Sequence, residues 1–517
     1  MSRTRKAAVT AAFTYARFLM AIVPGILLLP LTLASLGART YGLWLAFGEV
    51  LAYAAMIDPG VLSVLPWMIA EAHGSSDRAS VRRLVWNGLA TGAVAGAGYV
   101  LVVGALWLAL PGALHLSAAD RALLGPPIAL VVAVTTLTYP LRVFRAALAG
   151  LQDVFFNGVL AIGEVVINVA VLATLLLQGY GLWALAWAAA AASIFVALAS
   201  LARLAYLAPD LLTHPERPTL ADLGSLLRNG IGAWLAAFGW QLLAASNGIV
   251  ITYLGHPEWV PIYVCTAKMS TVLTQLSWVI PDSGLVGLAQ LHGERPRSKR
   301  LRQMVGALVQ VNLILGGAAA CGVLAFNPAF VTRWVGTALF GGLRLNALLA
   351  LGIIPYSLVH GLMTSAAVIG NRLRVGTATL ANGVLQIGFA IVFGARWGLL
   401  GVAAAGLLAA AISTVPAGLV LLRSVEAIAI DDLVRDFLSP WARRAAATVA
   451  IAAGVSIVSQ WMGVWIAATA AVLLGCAYLW HMRPLYRLLP LDPQWVPWLV
   501  SLRIVSADEG VHLAEQS

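Results

Sequence analysis

Residues 155–207 read FFNGVLAIGEVVINVAVLATLLL QGYG LWALAWAAAAASIFVALASLARLAYL. Two apolar runs flank Gln178-Gly179-Tyr180-Gly181, and Glu164 is the one charge before Arg203. A helix crosses a hydrocarbon core of about 30 Å with roughly 20 apolar residues. The stretch therefore predicts two membrane spans joined by a tight turn. The same pattern extends in both directions. The 517-residue chain is 61% hydrophobic and 10% charged, with a mean hydropathy of +0.89. Soluble domains carry about 25% charged residues, so a soluble enzyme, a secreted disulfide scaffold and a disordered regulator are excluded. Fourteen apolar runs predict helices near 11–35, 41–70, 86–111, 123–149, 155–178, 180–207, 229–254, 259–290, 304–327, 343–369, 375–395, 398–422, 443–461 and 463–481. The expected fold class is an all-α polytopic membrane protein of about fourteen transmembrane helices.

The net charge is +11, carried by 32 basic residues of which only Lys6, Lys268 and Lys299 are lysines. The basic residues lie in small clusters between apolar runs. That pattern sets membrane orientation through cytoplasmic Lys and Arg, and argues against a nucleic-acid partner. With both termini in the cytoplasm, 25 basic residues fall on the cytoplasmic side and 5 outside. The basic start, Met1 to Lys6, precedes a run without a small-residue cleavage site, so it predicts a retained first span. Cys265, Cys321 and Cys476 sit singly in apolar runs and read as packing residues. No phosphate-binding lysine loop, H-E-x-x-H or G-x-S-x-G motif occurs. No cofactor is expected, and the chain reads as a transporter rather than an enzyme.

An internal repeat divides the first twelve spans. Ile57-Asp58-Pro59-Gly60 matches Pro281-Asp282-Ser283-Gly284, and Leu160-Ala161-Ile162-Gly163 matches Leu380-Ala381-Asn382-Gly383. Gly150 matches Gly370 at the same offset as this second pair. An aromatic-Gly-Leu entry recurs at Tyr41-Gly42-Leu43, Tyr180-Gly181-Leu182 and Trp397-Gly398-Leu399. The expected organisation is a six-helix lobe at 1–207, a cytoplasmic linker at 208–228, a second six-helix lobe at 229–424, two additional helices at 425–482 and a cytoplasmic tail at 483–517. Two pseudo-symmetric six-helix lobes with a site between them are a known transporter architecture.

The run Leu36-Gly37 with Tyr41-Gly42-Leu43-Trp44, then Asp58-Pro59-Gly60, then Ala147-Leu148-Ala149-Gly150-Leu151-Gln152 resembles the polysaccharide-exporter family of Wzx-type lipid-linked oligosaccharide flippases. That family belongs to the superfamily holding the multidrug-and-toxin extruders and the lipid II flippase. The resemblance covers about residues 8–425, and Pro59 departs from the commoner motif. It implies transport of an undecaprenyl-diphosphate-linked glycan, for O-antigen or exopolysaccharide synthesis, from the cytoplasmic to the periplasmic leaflet of a bacterial inner membrane. Its implied partners are that lipid-linked oligosaccharide, membrane lipids and a glycan polymerase complex. Multidrug efflux coupled to a cation, or lipid II flipping, is the alternative within the superfamily.

A charge at mid-bilayer costs about 2.5–3.5 kcal/mol on insertion scales, so one retained there faces a wet cavity or a partner. By the helical rise, Lys268 lies roughly 14 Å and Glu49 roughly 12 Å deep, on equivalent spans. They are expected to face each other across a central cavity or to form a structural pair. Glu164 is also near mid-depth, has no cation close in sequence, and lacks a repeat counterpart, since Val384 occupies the matching position. It is the candidate site for a coupling proton or sodium ion. Arg17, Arg142 and Arg145 are placed to meet a diphosphate entering from the cytoplasmic side, where guanidinium forks match phosphate oxygens. Arg142 and Arg145 also read as ordinary positive-inside residues, and Arg17, just inside the first span, as a snorkelling one. Asp58 and Asp282 are cavity candidates that could equally cap broken helices. Asn157, Asn168, Gln241, Asn247, Gln275 and His360 are sugar-contact candidates or interhelical ties.

Overall fold

The computed structural model describes residues 3–216, 220–294, 299–425 and 430–488, which form helices and turns without strands. Arg17 lies outside the residues whose side chains are described. The chain forms two compact units, Met1–Val260 and Pro261–Ser517.

The first unit begins with α1 (Arg3–Ala54), which at about 1.5 Å per residue would be far longer than a bilayer core. It breaks at Gly37, with φ 74° and ψ 160°, a conformation open to glycine and strained for other residues. There follow α2 (Val61–Gly74), α3 (Arg78–Ala113), α4 (Ala118–Thr138), α5 (Arg142–Gly150), α6 (Val154–Leu177), α7 (Leu182–Leu207), the single turn α8 (Asp210–Thr213), α9 (Leu220–Ala244) and α10 (Asn247–Tyr253). Val61, Leu65, Ile69, Val81, Val85, Val143 and Leu148 pack as one apolar core. Glycines let the helices approach. A Cβ on Gly92 would lie 2.7 Å from the Pro140 Cα, and one on Gly163 2.7 Å from the Phe195 ring. Seen this way, α9 and α10 pack with the first unit, on α2 and α1 respectively.

The second unit comprises α11 (Trp259–Glu294), α12 (Lys299–Trp334), α13 (Gly342–Ile369), α14 (Arg372–Trp397), α15 (Leu399–Ile412), α16 (Thr414–Ser424), the short α17 (Ile430–Asp432), α18 (Ser439–Ser459) and α19 (Val464–His481). Its centre is α12, the most deeply buried of the long apolar helices. The last two helices pack directly on it. Trp441 Nε1 donates to the Tyr478 hydroxyl at 2.8 Å, Gly317 lies against that hydroxyl and Gly306 against the Phe437 ring. Asn327 Nδ2, fully buried, donates to Thr266 O at 2.8 Å and to Asn346 Oδ1 at 2.7 Å.

By length and composition, eleven described helices can cross a membrane, or twelve if the bent pair Gly230–Ala244 and Asn247–Tyr253 is one span. The difference from fourteen has three sources. The first two expected spans are two helices that join at the Gly37 kink, and most of the first lies outside the described residues over which spans are counted. The seventh is the bent pair, at 50°. The eighth, α11, is long enough, but Lys268, Gln275, Asp282 and several Ser and Thr residues lower its apolar character.

The glycine contacts predict a packing test. Gly317→Ala forces a methyl into the Tyr478 hydroxyl, and overpacking of this kind costs about 1–3 kcal/mol. The melting temperature of the detergent-solubilised protein is expected to fall by a few degrees. Gly475→Ala, on α19 with open space around it, is expected not to lower it.

Candidate functional site

In the first unit two spans are interrupted, and each interruption is closed by side chains of the other. The first lies between α1 and α2, at 55–60. Gly60 adopts φ 82°, and a Cβ there would sit 2.5 Å from the Gly230 carbonyl oxygen on α9. The Asp58 carboxylate accepts from the Val61 and Leu62 amides at 3.0 and 2.9 Å. The Tyr139 hydroxyl donates to Ala55 O at 2.7 Å, and Trp234 Nε1 donates to Met56 O at 2.7 Å. The second interruption separates α9 from α10. The Tyr53 hydroxyl donates to Ala245 O. The Glu49 carboxylate accepts from the Gly248 and Ile249 amides at 3.1 and 2.8 Å. Gly248 is required by this approach, since a Cβ would lie 2.8 Å from the carboxylate. Phe238 stacks on Trp234 at 5.2 Å and tilts against Tyr53 at 6.3 Å, tying the two breaks into one cluster. Helix ends expose unpaired amides and carbonyls, and lipid offers them no partner.

A second constellation lies one helix away. A turn at Leu151–Asp153, with Gln152 at φ 62°, folds α5 back toward α6. Asp153 opens α6 by accepting from the Phe156 amide and pairs with Arg203 Nε at 2.8 Å. Arg145 Nη1 then meets Glu164 Oε2 at 3.1 Å, both side chains one-third exposed. Glu164 was expected to have no local cation. The fold supplies one from nineteen residues earlier, across the turn. Glu164, Asn168, Ser193, Thr32 and Tyr41 line a cavity of about 470 Å³, walled on its other sides by aliphatic residues of α1, α6 and α7. Arg142 instead lies over the Tyr139 ring at 4.4 Å.

In the second unit Lys268 is half-buried on α11 and makes no ion pair among the described residues. Asp282 does not cap a broken helix: α11 runs unbroken through Pro281. Its Oδ1 lies 2.8 Å from His360 Nε2 on α13. The imidazole stacks on Trp278 at 4.2 Å with planes 4° apart. Asn157 Nδ2 bonds the Asp153 carbonyl, within its own helix.

The sequence reading missed Tyr53, Tyr139, Trp234 and Trp278. A signal was present in each case. Tyr53 and Trp278 lie one turn from singled-out acids on their own helices, at Glu49 and Asp282 respectively. Aromatic hydroxyl and indole groups buried in lipid-facing helices need acceptors.

No family model matches the chain, and no curated protein is similar to it in sequence. Solved structures are similar in fold. An inward-facing MATE family multidrug resistance transporter of the MOP superfamily aligns at TM-score 0.63 and 14% identity, over 79% of this chain and 95% of its own. The lipid II flippase MurJ, in an inward closed conformation, aligns at TM-score 0.65 and 14% identity, over 93% of this chain and 99% of its own. A MATE in complex with MaD5 aligns at 0.56, with 14% identity, over 82% and 97%. The chain is thus an all-α multi-pass membrane protein whose fold is similar to that of these solved transporters and of MurJ.

The cross-capped breaks predict that Trp234→Phe, which keeps the ring and deletes the donor, leaves Met56 O unpaired. A buried unpaired group costs about 1–3 kcal/mol. Thermal unfolding in detergent is expected to shift down measurably, whereas Trp240→Phe, an exposed tryptophan of the same helix, is expected to shift it less.

Proposed function

We propose that the protein is a flippase that moves an undecaprenyl-diphosphate-linked oligosaccharide from the cytoplasmic to the periplasmic leaflet by alternating access. The cytoplasmic membrane would hold it with both termini inside. In this reading the six-span repeats, 1–207 and 229–424, are the alternating halves. The observation that carries it is the Arg145–Glu164 pair, whose carboxylate lines a cavity with Asn168, Ser193, Thr32 and Tyr41. Arg145 is a fork-shaped cation suited to phosphate oxygens. Glu164 is its resident anion. An arriving diphosphate competes with Glu164 for Arg145, and a proton or sodium ion on Glu164 frees the guanidinium for the substrate. One pair thereby links the lipid headgroup to a coupling ion. Arg142 adds positive charge for the diphosphate within the same unit. The polyprenyl tail stays in lipid, so the charged headgroup never meets hydrocarbon, where an unpaired charge is prohibitive. Outward movement of negative charge is favoured by an inside-negative potential, by about 2.3 kcal/mol per charge per 100 mV.

The likeness to MurJ supports a lipid-linked substrate over a drug, because it extends over 93% of this chain while that to the inward-facing MATE extends over 79%. Cation-coupled multidrug efflux and lipid II flipping are the alternatives. The reading is tested in proteoliposomes with a lipid-linked oligosaccharide and an imposed ion gradient. Arg145→Gln is expected to slow flipping by about tenfold or more, on the scale of one charge-assisted hydrogen bond. Glu164→Gln is expected to remove the dependence of the rate on the gradient. Ethidium extrusion with no lipid flipping would assign the protein to drug efflux, and a gradient response intact in Glu164→Gln would take Glu164 out of the coupling role.

A further inference from the structure

The turn joining α2 to α3 holds a polar cavity that the transport reading does not use. It measures about 290 Å³ and is lined by Glu71, Ser75, Asp77, Ser80, Arg83 and Asn87, over a floor of Met68, Ala72 and Leu84. It stands where two apolar helices end, hence at a bilayer surface. Three arginines crowd this turn, and the structure sorts them. Arg78 faces Asp210 at 3.9 Å and Arg82 pairs with Glu216 at 2.9 Å. Both are turned to the 208–216 segment. Arg83 alone of the three lines the cavity, where its Nη2 donates to Ser80 Oγ at 2.8 Å.

The two acids are sorted in the same way. Asp77 is spent on the helix: its carboxylate accepts from the Ser80 amide at 2.9 Å and from the Ser80 hydroxyl. Those bonds hold its carboxyl below the usual carboxylate range. The Glu71 carboxylate makes no hydrogen bond or ion pair among the described residues. The cavity thus offers one cation with donors to spare and one uncommitted anion, with hydroxyls between them. Trp67, 62% exposed, stands one turn before Glu71 on α2. Tryptophan at this level marks the headgroup region.

We propose that this cavity binds the headgroup of a zwitterionic amino-phospholipid, phosphatidylethanolamine by chemistry. The phosphate takes Arg83 and the primary ammonium takes Glu71 and the Ser75 hydroxyl. The ammonium matters because it donates hydrogen bonds. A trimethylammonium headgroup carries the same charge and donates none, and a glycerol headgroup supplies no cation for Glu71. The inference goes beyond the transport reading and stands or falls without it.

The test is native mass spectrometry of the full chain released from mixed micelles containing equal amounts of phosphatidylethanolamine, phosphatidylcholine and phosphatidylglycerol. Phosphatidylethanolamine is expected to be retained over each of the others by roughly tenfold, the scale of one charge-assisted hydrogen bond. Glu71→Gln and Arg83→Gln are each expected to erase most of that preference. The double variant Glu71→Arg with Arg83→Glu, which exchanges the two poles, is expected to regain it. Equal retention of the three lipids by the unaltered protein overturns the proposal, as does a preference unchanged in Glu71→Gln. Soluble phosphoethanolamine, added without lipid, separates a membrane ligand from a free metabolite: its retention at the same site with no lipid preference overturns the lipid assignment.

Discussion

A membrane span that stops being helical must find partners for its own backbone, because hydrocarbon supplies none. The two interruptions of the first unit show how that demand is met. The interruptions at 55–60 and 245–246 are closed reciprocally: Trp234 of one span serves a carbonyl of the other, while Glu49 and Tyr53 return amide and carbonyl partners. Their pairing requires Gly60, Gly230 and Gly248, because the two backbones and the carboxylate come too close for any Cβ.

That arrangement changes how the intramembrane acids are understood. Glu49 and Asp58 both read in the sequence as charges held in a cavity. Their oxygens are occupied by helix amides, where the partial positive charge of a helix start favours an anion. Their cost in the bilayer is offset by the helix starts of two broken spans. Glu164 differs. Its partner is a single guanidinium, one-third exposed, and Glu164 lines a cavity. Glu49 and Asp58 are thus acids fixed by helix starts, whereas Glu164 is held by one partly exposed ion pair.

Much of this was legible in the chain. The apolar runs announced the helices because burial in lipid is a compositional demand, and the capping role of Asp58 was one of two readings that its Pro-Gly neighbours permitted. Asp282 shows the limit of the repeat. It occupies the position matching Asp58, yet α11 runs straight through it and its carboxylate goes to His360 on α13. The two outcomes have a local cause: Pro59 follows Asp58 and disfavours helical backbone there, whereas Asp282 is followed by Ser283, and Gly230 of α9 packs against the first break. Arg145 and Glu164 were both singled out, but not as a pair, since the turn that joins them rests on a left-handed Gln152 that no local preference requires. Contacts such as Trp234 to Met56, 178 residues apart, belong to the tertiary fold alone.

Amide hydrogen exchange at Gly248 and Ile249, measured in lipid nanodiscs on the intact protein and on Glu49→Ala, probes the reciprocal capping directly. In the intact protein both amides are expected to exchange as slowly as those inside α10, and in the variant to exchange at least tenfold faster, the ratio expected for loss of about one charged hydrogen bond. Fast exchange already in the intact protein, or no change in the variant, would contradict the account.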